Sequence, residues 1–293
     1  MKIVAVIVTF NRDLLLERAI KHVKRQTFSC SEILVIDNAN LSSTKNLAVE
    51  NSCFYIPMTI NLGAAAGYKV GIKKAIEFGA EFIWTLDDDG YPAEDCLKEL
   101  INFTEHKKYT VIGPLSIAVN DNRKTANPFW INGRKVDDVR IIERSMSAKN
   151  KVQFFNGILF DSIVFSKIGY PMEELFIRGD EIEFYYRCKK ARLKMRLVPT
   201  AKYFHPSSSA EFVGSRLNIL SANVPNDENK RFYQFRNRGY VIRKYNLLHL
   251  FILDIVRYPF TFLILRKFDF HGLVEWFKAW FLGLRGNLSR IAS

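Results

Sequence analysis

Blocks of apolar residues alternate with amphipathic stretches along the first ninety residues. The apolar blocks are rich in β-branched side chains, which predicts parallel strands covered on both faces. The stretches between them carry apolar residues at helical spacing. The predicted elements are strand 3–9, helix 12–26, strand 32–36, a weak strand at 54–60, helix 67–78 and strand 81–86. Strands and helices that alternate in this way form a parallel, doubly wound α/β sheet, with a loop expected between the second and third strands.

The pattern is less regular after residue 90. Pro92 is predicted to begin the next helix, because the first helical turn has no use for the N–H that proline lacks. Residues 120–134 are rich in turn formers, and 154–160 resembles a strand with a polar interruption. Residues 174–191 predict a loop that enters a helix.

The end of the chain combines aromatic, aliphatic and basic residues. We therefore divide the chain into an α/β domain at 1–230 and a basic helical region at 231–293. The charges at Asp254, Arg257 and Arg266 leave no uncharged apolar run of about 18 residues, which argues against a membrane-spanning helix. An amphipathic face favours helices that lie in a membrane interface instead. This face consists of Phe277, Trp280, Phe281 and Leu284, with Lys278 and Arg285 beside it.

Composition and charge narrow the class of partner. The 293 residues are 48% hydrophobic and 25% charged, as in a folded globular protein. The net charge is +13, and residues 230–293 hold 12 Lys/Arg against 3 Asp/Glu. Because this excess coincides with aromatic residues, an anionic membrane surface is favoured over nucleic acid, for which no binding module is recognisable. A helical appendage with core aromatics and a homo-oligomer interface are the alternatives for this region.

Four cysteines are spread over the chain, at positions 30, 53, 96 and 188. They form no Cys-x-x-Cys pair, so neither a zinc site nor a disulfide framework is expected. Their spacing favours reduced thiols in a cytoplasmic protein.

Polar side chains follow each of the first four predicted strands. They are Thr9, Asn11 and Arg12 after the first strand, Asp37 and Asn38 after the second, Asn61 and Gly63 after the third, and Asp87, Asp88 and Asp89 after the fourth. In open parallel sheets, ligands bind beyond the carboxyl ends of the strands. These four groups therefore predict one binding site along a shared rim.

The sharpest feature on this rim is the run of three aspartates. Alternate residues of an extended segment point the same way, so Asp87 and Asp89 can share one site. Hard carboxylate oxygens suit Mg or Mn, and such a metal can carry a diphosphate. A solvated acidic turn near Pro92 is the alternative, and the position on the ligand rim favours the metal.

Three segments together resemble the inverting family 2 glycosyltransferases, which have the GT-A fold. They are the opening strand with Thr9–Arg12, the end of the second strand at Asp37–Asn38 and the aspartate run. Residues 61–68, Asn-Leu-Gly-Ala-Ala-Ala-Gly-Tyr, are similar to a glycine-rich segment of the galactofuranosyl- and rhamnosyltransferase branch, with Ala replacing two usual glycines. Residues 176–184 are similar to the acidic catalytic segment of that branch. The resemblance covers about residues 2–245.

The resemblance implies how the donor is bound. A nucleotide-sugar half would occupy 1–110 and an acceptor half 111–230. Thr9, Asn11 and Arg12 would line the nucleobase pocket, Asp37 with Asn38 would hold base or ribose, and Asn61 with Gly63 would approach the diphosphate and sugar. Asp87 and Asp89 would bind the metal, Asp88 would lie near the donor, and His205 would be a further metal ligand or an ordinary turn histidine.

The resemblance also implies the catalytic and acceptor residues. The general base would be Glu181 or Asp180, where the family usually has Asp. Asn156 and Gly157 would form an acceptor-side wall or only a bulge, and Trp130 would be a sugar platform or core. Tyr233, Arg236 and Asn237 resemble a Tyr-x-x-Arg-Asn stretch of this branch, in which Arg236 would touch a phosphate or pair with an acid.

These implications give a functional expectation. The chain would be a metal-dependent glycosyltransferase at the inner face of the cell membrane, taking UDP-galactofuranose as donor. The acceptor would be a polyprenyl-diphosphate-linked glycan of a surface polysaccharide. A rhamnosyltransferase using dTDP-rhamnose and a non-catalytic membrane-binding protein are the alternatives.

Overall fold

A large, mostly parallel sheet forms the body of the protein. The computed structural model describes residues 1–107, 110–214 and 220–290. The strands are β1 Ile3–Thr9, β2 Glu32–Asp37, β3 Phe54–Pro57, β4 Phe82–Asp87, β5 Tyr91–Pro92, β6 Val111–Ala118, β7 Asp121–Ile131, β8 Arg134–Asp138, β9 Ile158–Asp161, β10 Met195–His205, β11 Phe212–Val213 and β12 Ala222–Asn223. The helices are α1 Asp13–Lys24, α2 Ser42–Glu50, α3 Gly63–Glu77, α4 Cys96–Lys107, α5 Val139–Arg144, α6 Ile163–Ile168, α7 Asp180–Lys190, α8 Glu228–Lys244, α9 Leu248–Phe260 and α10 Phe270–Leu284.

The order of strands in the main sheet is β3-β2-β1-β4-β9-β6-β10-β5, with the β7–β8 hairpin branching from β6. The first four strands along this order are parallel, β9 runs antiparallel between β4 and β6, and β10 runs parallel to β6. This arrangement confirms the predicted mostly parallel α/β sheet and brings the carboxyl ends of β1, β2, β4 and β10 to one rim.

Both faces of the central strands are buried, as their apolar sequence predicts. Even-numbered residues of β1, such as Val6, pack with Tyr68 and Ile72 of α3. Odd-numbered residues, such as Ile7, pack with Leu16 of α1 on the opposite face. Because successive strand residues point to opposite faces, one β-branched run supplies two cores.

Three sequence expectations are wrong in this part of the chain. A helix, α2, replaces the loop expected between β2 and β3. Pro92 lies in the short strand β5, and the next helix begins only at Cys96. Most of the turn-rich stretch at 120–134 is the long strand β7 of a hairpin, which sits at the margin of the sheet, where polar residues are tolerated.

The three C-terminal helices pack around their own apolar cluster, which includes Phe235, Tyr258 and Trp276. Trp280 also lies inside it, so the expectation of Trp280 on an outward face is wrong. Phe277 and Phe281 do face outward. Helical spacing explains the split, since Trp276 and Trp280 are four residues apart and share the inner face.

One segment is long and apolar enough to cross a membrane. Leu248–Leu265, which joins α9 to a π-helical turn, has 18 residues and a mean hydropathy of 1.7. From the sequence alone, we expect the charges at Asp254, Arg257 and Arg266 to exclude a membrane-spanning helix. The length and composition of this segment go against that expectation. Asp254, in its middle, is fully buried and accepts two hydrogen bonds from Arg238 of α8. The segment is therefore tied to the protein at its centre.

Candidate active site

Three side chains with metal-binding chemistry meet where β4 and β10 end. One ligand atom from each of Asp87, Asp89 and His205 lies within 4.8 Å of the others. His205 Nε2 is 3.1 Å from Asp89 Oδ1 and 3.9 Å from Asp87 Oδ2. The structure thus brings together the three residues predicted to hold a metal.

The donor set fits a divalent cation. His205 Nδ1 is 2.8 Å from the carbonyl oxygen of Pro206. When the neutral ring donates Nδ1–H to that carbonyl, Nε2 carries the lone pair that a metal needs. Desolvation and the neighbouring Asp89 raise the pKa of Asp87 to about 7. A bound cation would favour the ionised form of this buried carboxyl.

Two tyrosines and an arginine that the sequence analysis did not single out hold this cluster in place. The Tyr68 hydroxyl donates to Asp87 Oδ1, and the Tyr203 hydroxyl donates to the Asp87 carbonyl oxygen at 3.3 Å. Arg18 Nη2 donates to the Asp89 carbonyl oxygen at 2.7 Å. Strand alternation could have identified Tyr203, because it lies two residues before His205 on the same face of β10.

Asp88 and two predicted nucleobase residues bind one another at the rim. Thr9 Oγ1 donates to Asp88 Oδ2 at 2.8 Å, and Arg12 Nη1 donates to Asp88 Oδ1 at 3.1 Å. Arg12 also donates to Asp89 at 3.0 Å. Asp88 therefore joins the ends of β1 and β4, while Asn11 lies exposed beside them with a positive φ of 54°.

The end of β2 is also built for internal support. Asp37 is fully buried and accepts hydrogen bonds from the backbone N–H groups of Ala39 and Leu41 and from the Tyr55 hydroxyl. These bonds shape the turn into α2, and the Asp37 carboxylate is buried within the protein in this conformation. Among the described residues, the buried Oδ1 of Asn38 has no hydrogen-bond partner, which leaves it as the polar atom offered at this strand end.

The predicted donor segment packs against the predicted catalytic loop. Asn61 Oδ1 accepts from the Gly63 N–H at 2.9 Å, and the Ala65 N–H donates to the Phe176 carbonyl at 3.3 Å. Gly63 has a φ of +83°, and a Cβ there would lie 2.3 Å from the Phe176 oxygen. Gly63 is thus needed for the contact between two loops.

Gly63→Ala is expected to destabilise the protein by about 2–5 kcal/mol, from left-handed strain together with a backbone clash. Gly79→Ala is the matched control, because Gly79 has a φ of +75° and a methyl group added there would meet nothing within 4 Å. The control should lose only about 1–2 kcal/mol. Denaturant unfolding of both variants measures the difference, and equal losses would contradict the tight loop contact.

The predicted acidic catalytic segment begins α7, close enough to Asp87 for the two carboxyl groups to interact. Asp180 is buried, and desolvation together with the charge of Glu181 raises its pKa well above the usual range, with a smaller contribution from Asp87. Glu181 is partly exposed, and its Oε2 accepts from the Gly179 N–H at 2.8 Å. Of the two candidate bases, Glu181 is therefore the carboxylate that a substrate can reach.

Asp180→Asn is expected to raise the melting temperature near pH 7. Because the pKa of Asp180 is raised on folding, the folded protein keeps a proton that the unfolded chain releases, and stability falls as the pH rises above about 4. Asparagine removes this pH dependence of stability, so the gain in melting temperature should vanish toward pH 4. Thermal unfolding between pH 4 and pH 8 measures it, with Asp137→Asn as the control. A gain of equal size at both ends of this range would contradict the raised pKa.

The predicted acceptor residues lie in different places. Asn156 is buried with its Oδ1 unpartnered among the described residues, and Gly157 has a φ of +75°. The Gly157 carbonyl accepts from Trp84 Nε1 at 2.9 Å, which ties it to β4 below the metal cluster. Trp130 lies on β7, where the guanidinium carbon of Arg257 is 5.2 Å from its ring centre. Trp130 therefore contacts the C-terminal helices.

Arg236 and Asn237 hold the loop that is predicted to be catalytic. The buried Arg236 donates to the carbonyl oxygens of Glu174 and Leu175. Asn237 Nδ2 donates to the carbonyl oxygens of Leu175, Ile177 and Arg178. Both expectations for Arg236, a phosphate contact and an acid pair, are thus replaced by backbone bonds that the sequence could not indicate.

A family model described as glycosyl transferase family 2 matches residues 4–166. The chain belongs to this family, and it is a glycosyltransferase. It is 31% identical over 295 residues to the galactofuranosyltransferase GlfT1 of Mycolicibacterium smegmatis, with 98% of this chain and 97% of the relative covered. It is 27% identical over 249 residues to the dTDP-rhamnosyl transferase RfbF of Shigella flexneri, with 83% and 80% covered.

Solved structures confirm the GT-A type of fold. Residues 1–349 of TarS from S. aureus match with a TM-score of 0.57 at 15% identity, covering 98% of this chain and 82% of that one. The mannosyltransferase PcManGT from Pyrobaculum calidifontis, in complex with GDP-Man and Mn²⁺, matches with a TM-score of 0.54 at 13% identity, covering 99% and 76%.

Proposed function

We propose that this glycosyltransferase moves galactofuranose from UDP-galactofuranose to a lipid-linked glycan, with inversion at the anomeric carbon. The observation that carries the proposal is the approach of two acidic groups from separate segments. Asp87, Asp89 and His205 form a cluster suited to a divalent metal, and Glu181 lies in the first turn of α7 beside Asp180, whose pKa the charge of Asp87 helps to raise.

The donor side is organised around the leaving group. A divalent metal, when bound, supplies positive charge for the diphosphate that leaves the sugar. Asp87, Asp89 and His205 would hold it. Tyr68 and Tyr203 fix the position of Asp87 through its side chain and its backbone, so the ligand set is oriented before the donor binds.

The acceptor side is organised around one proton. Glu181 accepts the Gly179 N–H at Oε2, which orients its carboxylate, and this carboxylate would accept the proton of the acceptor hydroxyl. As this O–H bond breaks, the hydroxyl oxygen forms a bond to the anomeric carbon. The bond from that carbon to the diphosphate breaks on the opposite face, and its electron pair leaves with the diphosphate. Attack opposite the leaving group inverts the anomeric centre.

The choice of donor rests on similarity. The galactofuranosyltransferase relative aligns with 98% of the chain at 31% identity, while the rhamnosyltransferase relative aligns with 83% at 27%. Ala64 and Ala66 stand where the similar segment of this branch usually has glycines. The rhamnose donor therefore stays the second candidate.

The C-terminal helices support a place at the inner face of the cell membrane, in the cytoplasm. Large apolar side chains on them are exposed, at Leu248, Ile252, Ile255, Val256, Ile264, Phe268, Phe270, Val274, Phe277 and Phe281. Those of α10 recur every three or four residues and so form one face. Exposed basic residues, Arg266, Lys267, Lys278 and Arg285, accompany them. Apolar surface with basic residues beside it suits an anionic bilayer interface, where a lipid-linked acceptor would be presented.

A donor panel tests the proposal. Nucleoside diphosphate release would be followed with Mn²⁺ or Mg²⁺ for UDP-galactofuranose, UDP-galactopyranose, UDP-glucose and dTDP-rhamnose, in the presence of polyprenyl-linked acceptors. We expect release from UDP-galactofuranose and its loss on chelation. Release from dTDP-rhamnose alone would make dTDP-rhamnose the donor, and no release from any of the four donors would contradict the proposed donor.

A further inference from the structure

Arg257 is a nearly buried cation that has neither a hydrogen-bond partner nor an ion-pair partner for its guanidinium among the described residues. Its exposed fraction is 6%, and its Nε is buried without a hydrogen-bond partner. Within residues 1–107, 110–214 and 220–290, its guanidinium forms neither a hydrogen bond nor an ion pair. A buried charge in this condition is unfavourable, and proteins usually pair it or bind a counter-ion.

Asp254, whose charge acts on Arg257, is already paired with another arginine. Asp254, one turn earlier on α9, is fully buried, and its two carboxylate oxygens accept from Nε and Nη2 of Arg238 at 2.5 and 2.7 Å. Arg238 thus neutralises Asp254. The group of Arg238, Asp254 and Arg257 keeps one positive charge in excess inside the protein.

The surroundings of Arg257 leave its hydrogen-bonding groups open to a ligand. Its guanidinium carbon lies 5.2 Å from the ring centre of Trp130, which stabilises the cation without using its N–H groups. An arginine whose guanidinium carbon lies over an aromatic ring can still donate two parallel hydrogen bonds to a phosphate.

The position of Arg257 and Trp130 in the fold indicates which kind of molecule would carry the phosphate. Ile255 and Val256, adjacent to Arg257 in α9, are 47% and 52% exposed and belong to the apolar face proposed to meet the membrane. Trp130 lies on β7 of the half proposed to receive the acceptor. The pair therefore sits between the lipid-facing helices and the acceptor half.

We propose that Arg257 and Trp130 form an anion subsite for a phosphate group carried by a membrane lipid, and that the lipid diphosphate of the acceptor is its ligand. This inference rests on the proposed function for the identity of the acceptor. The subsite would hold the acceptor by its phosphate while the glycan extends toward Glu181.

Vesicle binding tests the subsite without any sugar donor, so the result stands even if no donor is turned over. Neutral phosphatidylcholine vesicles would be compared with vesicles that also contain farnesyl diphosphate, and with vesicles that contain phosphatidylglycerol. We expect Arg257→Gln to weaken binding to the farnesyl diphosphate vesicles by about tenfold, as loss of a charge-assisted contact does. Binding by Arg257→Lys should fall between that of the wild type and that of Arg257→Gln. Arg25→Gln is the matched control, because Arg25 is an exposed arginine outside the C-terminal helices, and it should change binding by less than about threefold.

The outcomes distinguish the lipid diphosphate of the acceptor from phospholipid headgroups as the ligand. They also distinguish ligand binding from a purely structural role of Arg257. Equal loss on both kinds of charged vesicle would support the subsite but assign it to phospholipid headgroups. Competition by inorganic pyrophosphate should reduce binding of the wild type and leave Arg257→Gln unaffected. Without lipid, Arg257→Met should unfold at a temperature no lower than the wild type, because it removes an unpaired buried charge. Unchanged vesicle binding by Arg257→Gln, or a lowered melting temperature of Arg257→Met with normal binding, would overturn the proposal.

Discussion

Glu181→Gln is expected to lower kcat for sugar transfer by about 10²–10⁴-fold, the range typical for loss of a general base. Glutamine keeps the size of the side chain and can still accept the Gly179 N–H, so the start of α7 should be preserved. It cannot take a proton at neutral pH. Rate measurements at saturating donor give kcat directly.

This prediction is specific because kcat should fall while donor affinity stays nearly the same. Glu181 acts on the acceptor proton, so donor affinity should change by less than about twofold, and kcat and kcat/KM for the acceptor should fall together. Glu174→Gln is the matched control, because Glu174 is an exposed acid of the same loop. Near-normal kcat in Glu181→Gln, with a large loss in Asp180→Asn, would transfer the role of base to Asp180.

Asp89→Asn is expected to weaken Mn²⁺ binding at least tenfold and to lower kcat/KM for the donor by about 10²-fold, because it removes one charged metal ligand. Asp89 Oδ1 is the carboxylate oxygen nearest to His205 Nε2, at 3.1 Å. Since the other two ligand side chains stay, raising the Mn²⁺ concentration should restore part of the activity.

The control for the metal prediction is Glu94→Gln, an exposed acid five residues further along the chain. It should leave both Mn²⁺ affinity and transfer unchanged. Calorimetric titration of Mn²⁺ gives the affinity, and donor turnover at several Mn²⁺ concentrations gives the rescue. Transfer by Asp89→Asn that shows the same Mn²⁺ dependence as the wild type would exclude this cluster as the metal site.

The core of the fold could be predicted because the apolar pattern of a single strand indicates which of its faces are buried. β1 is apolar at nearly every position, which only a strand covered on both faces requires. In contrast, α2 reads Ser-Ser-Thr-Lys-Asn-Leu-Ala-Val-Glu and buries only Thr44 and Ala48, so it has almost no apolar periodicity to detect. β7 could not be predicted because its Asp, Asn and Pro residues, common in turns, are tolerated in a hairpin at the margin of the sheet.

The candidate site could be predicted as a set of positions but not as a set of contacts. The rule that ligands bind at strand ends located the aspartate run, and resemblance located Glu181. Which oxygens stay free depends on approaches between distant segments. Asp37 accepts from Tyr55 and Asp88 accepts from Arg12, so both carboxylates bind neighbouring side chains of the protein. Contacts of this kind become visible only in the folded structure.

The stereochemistry of the product tests the central claim most directly. The claim is direct displacement at the anomeric carbon, with Glu181 as base on the face opposite the leaving diphosphate. Nuclear magnetic resonance of the product formed from UDP-galactofuranose would report the anomeric configuration of the new linkage. The account predicts a configuration opposite to that of the donor. Retention of the donor configuration would contradict it and would require a different chemical role for Glu181.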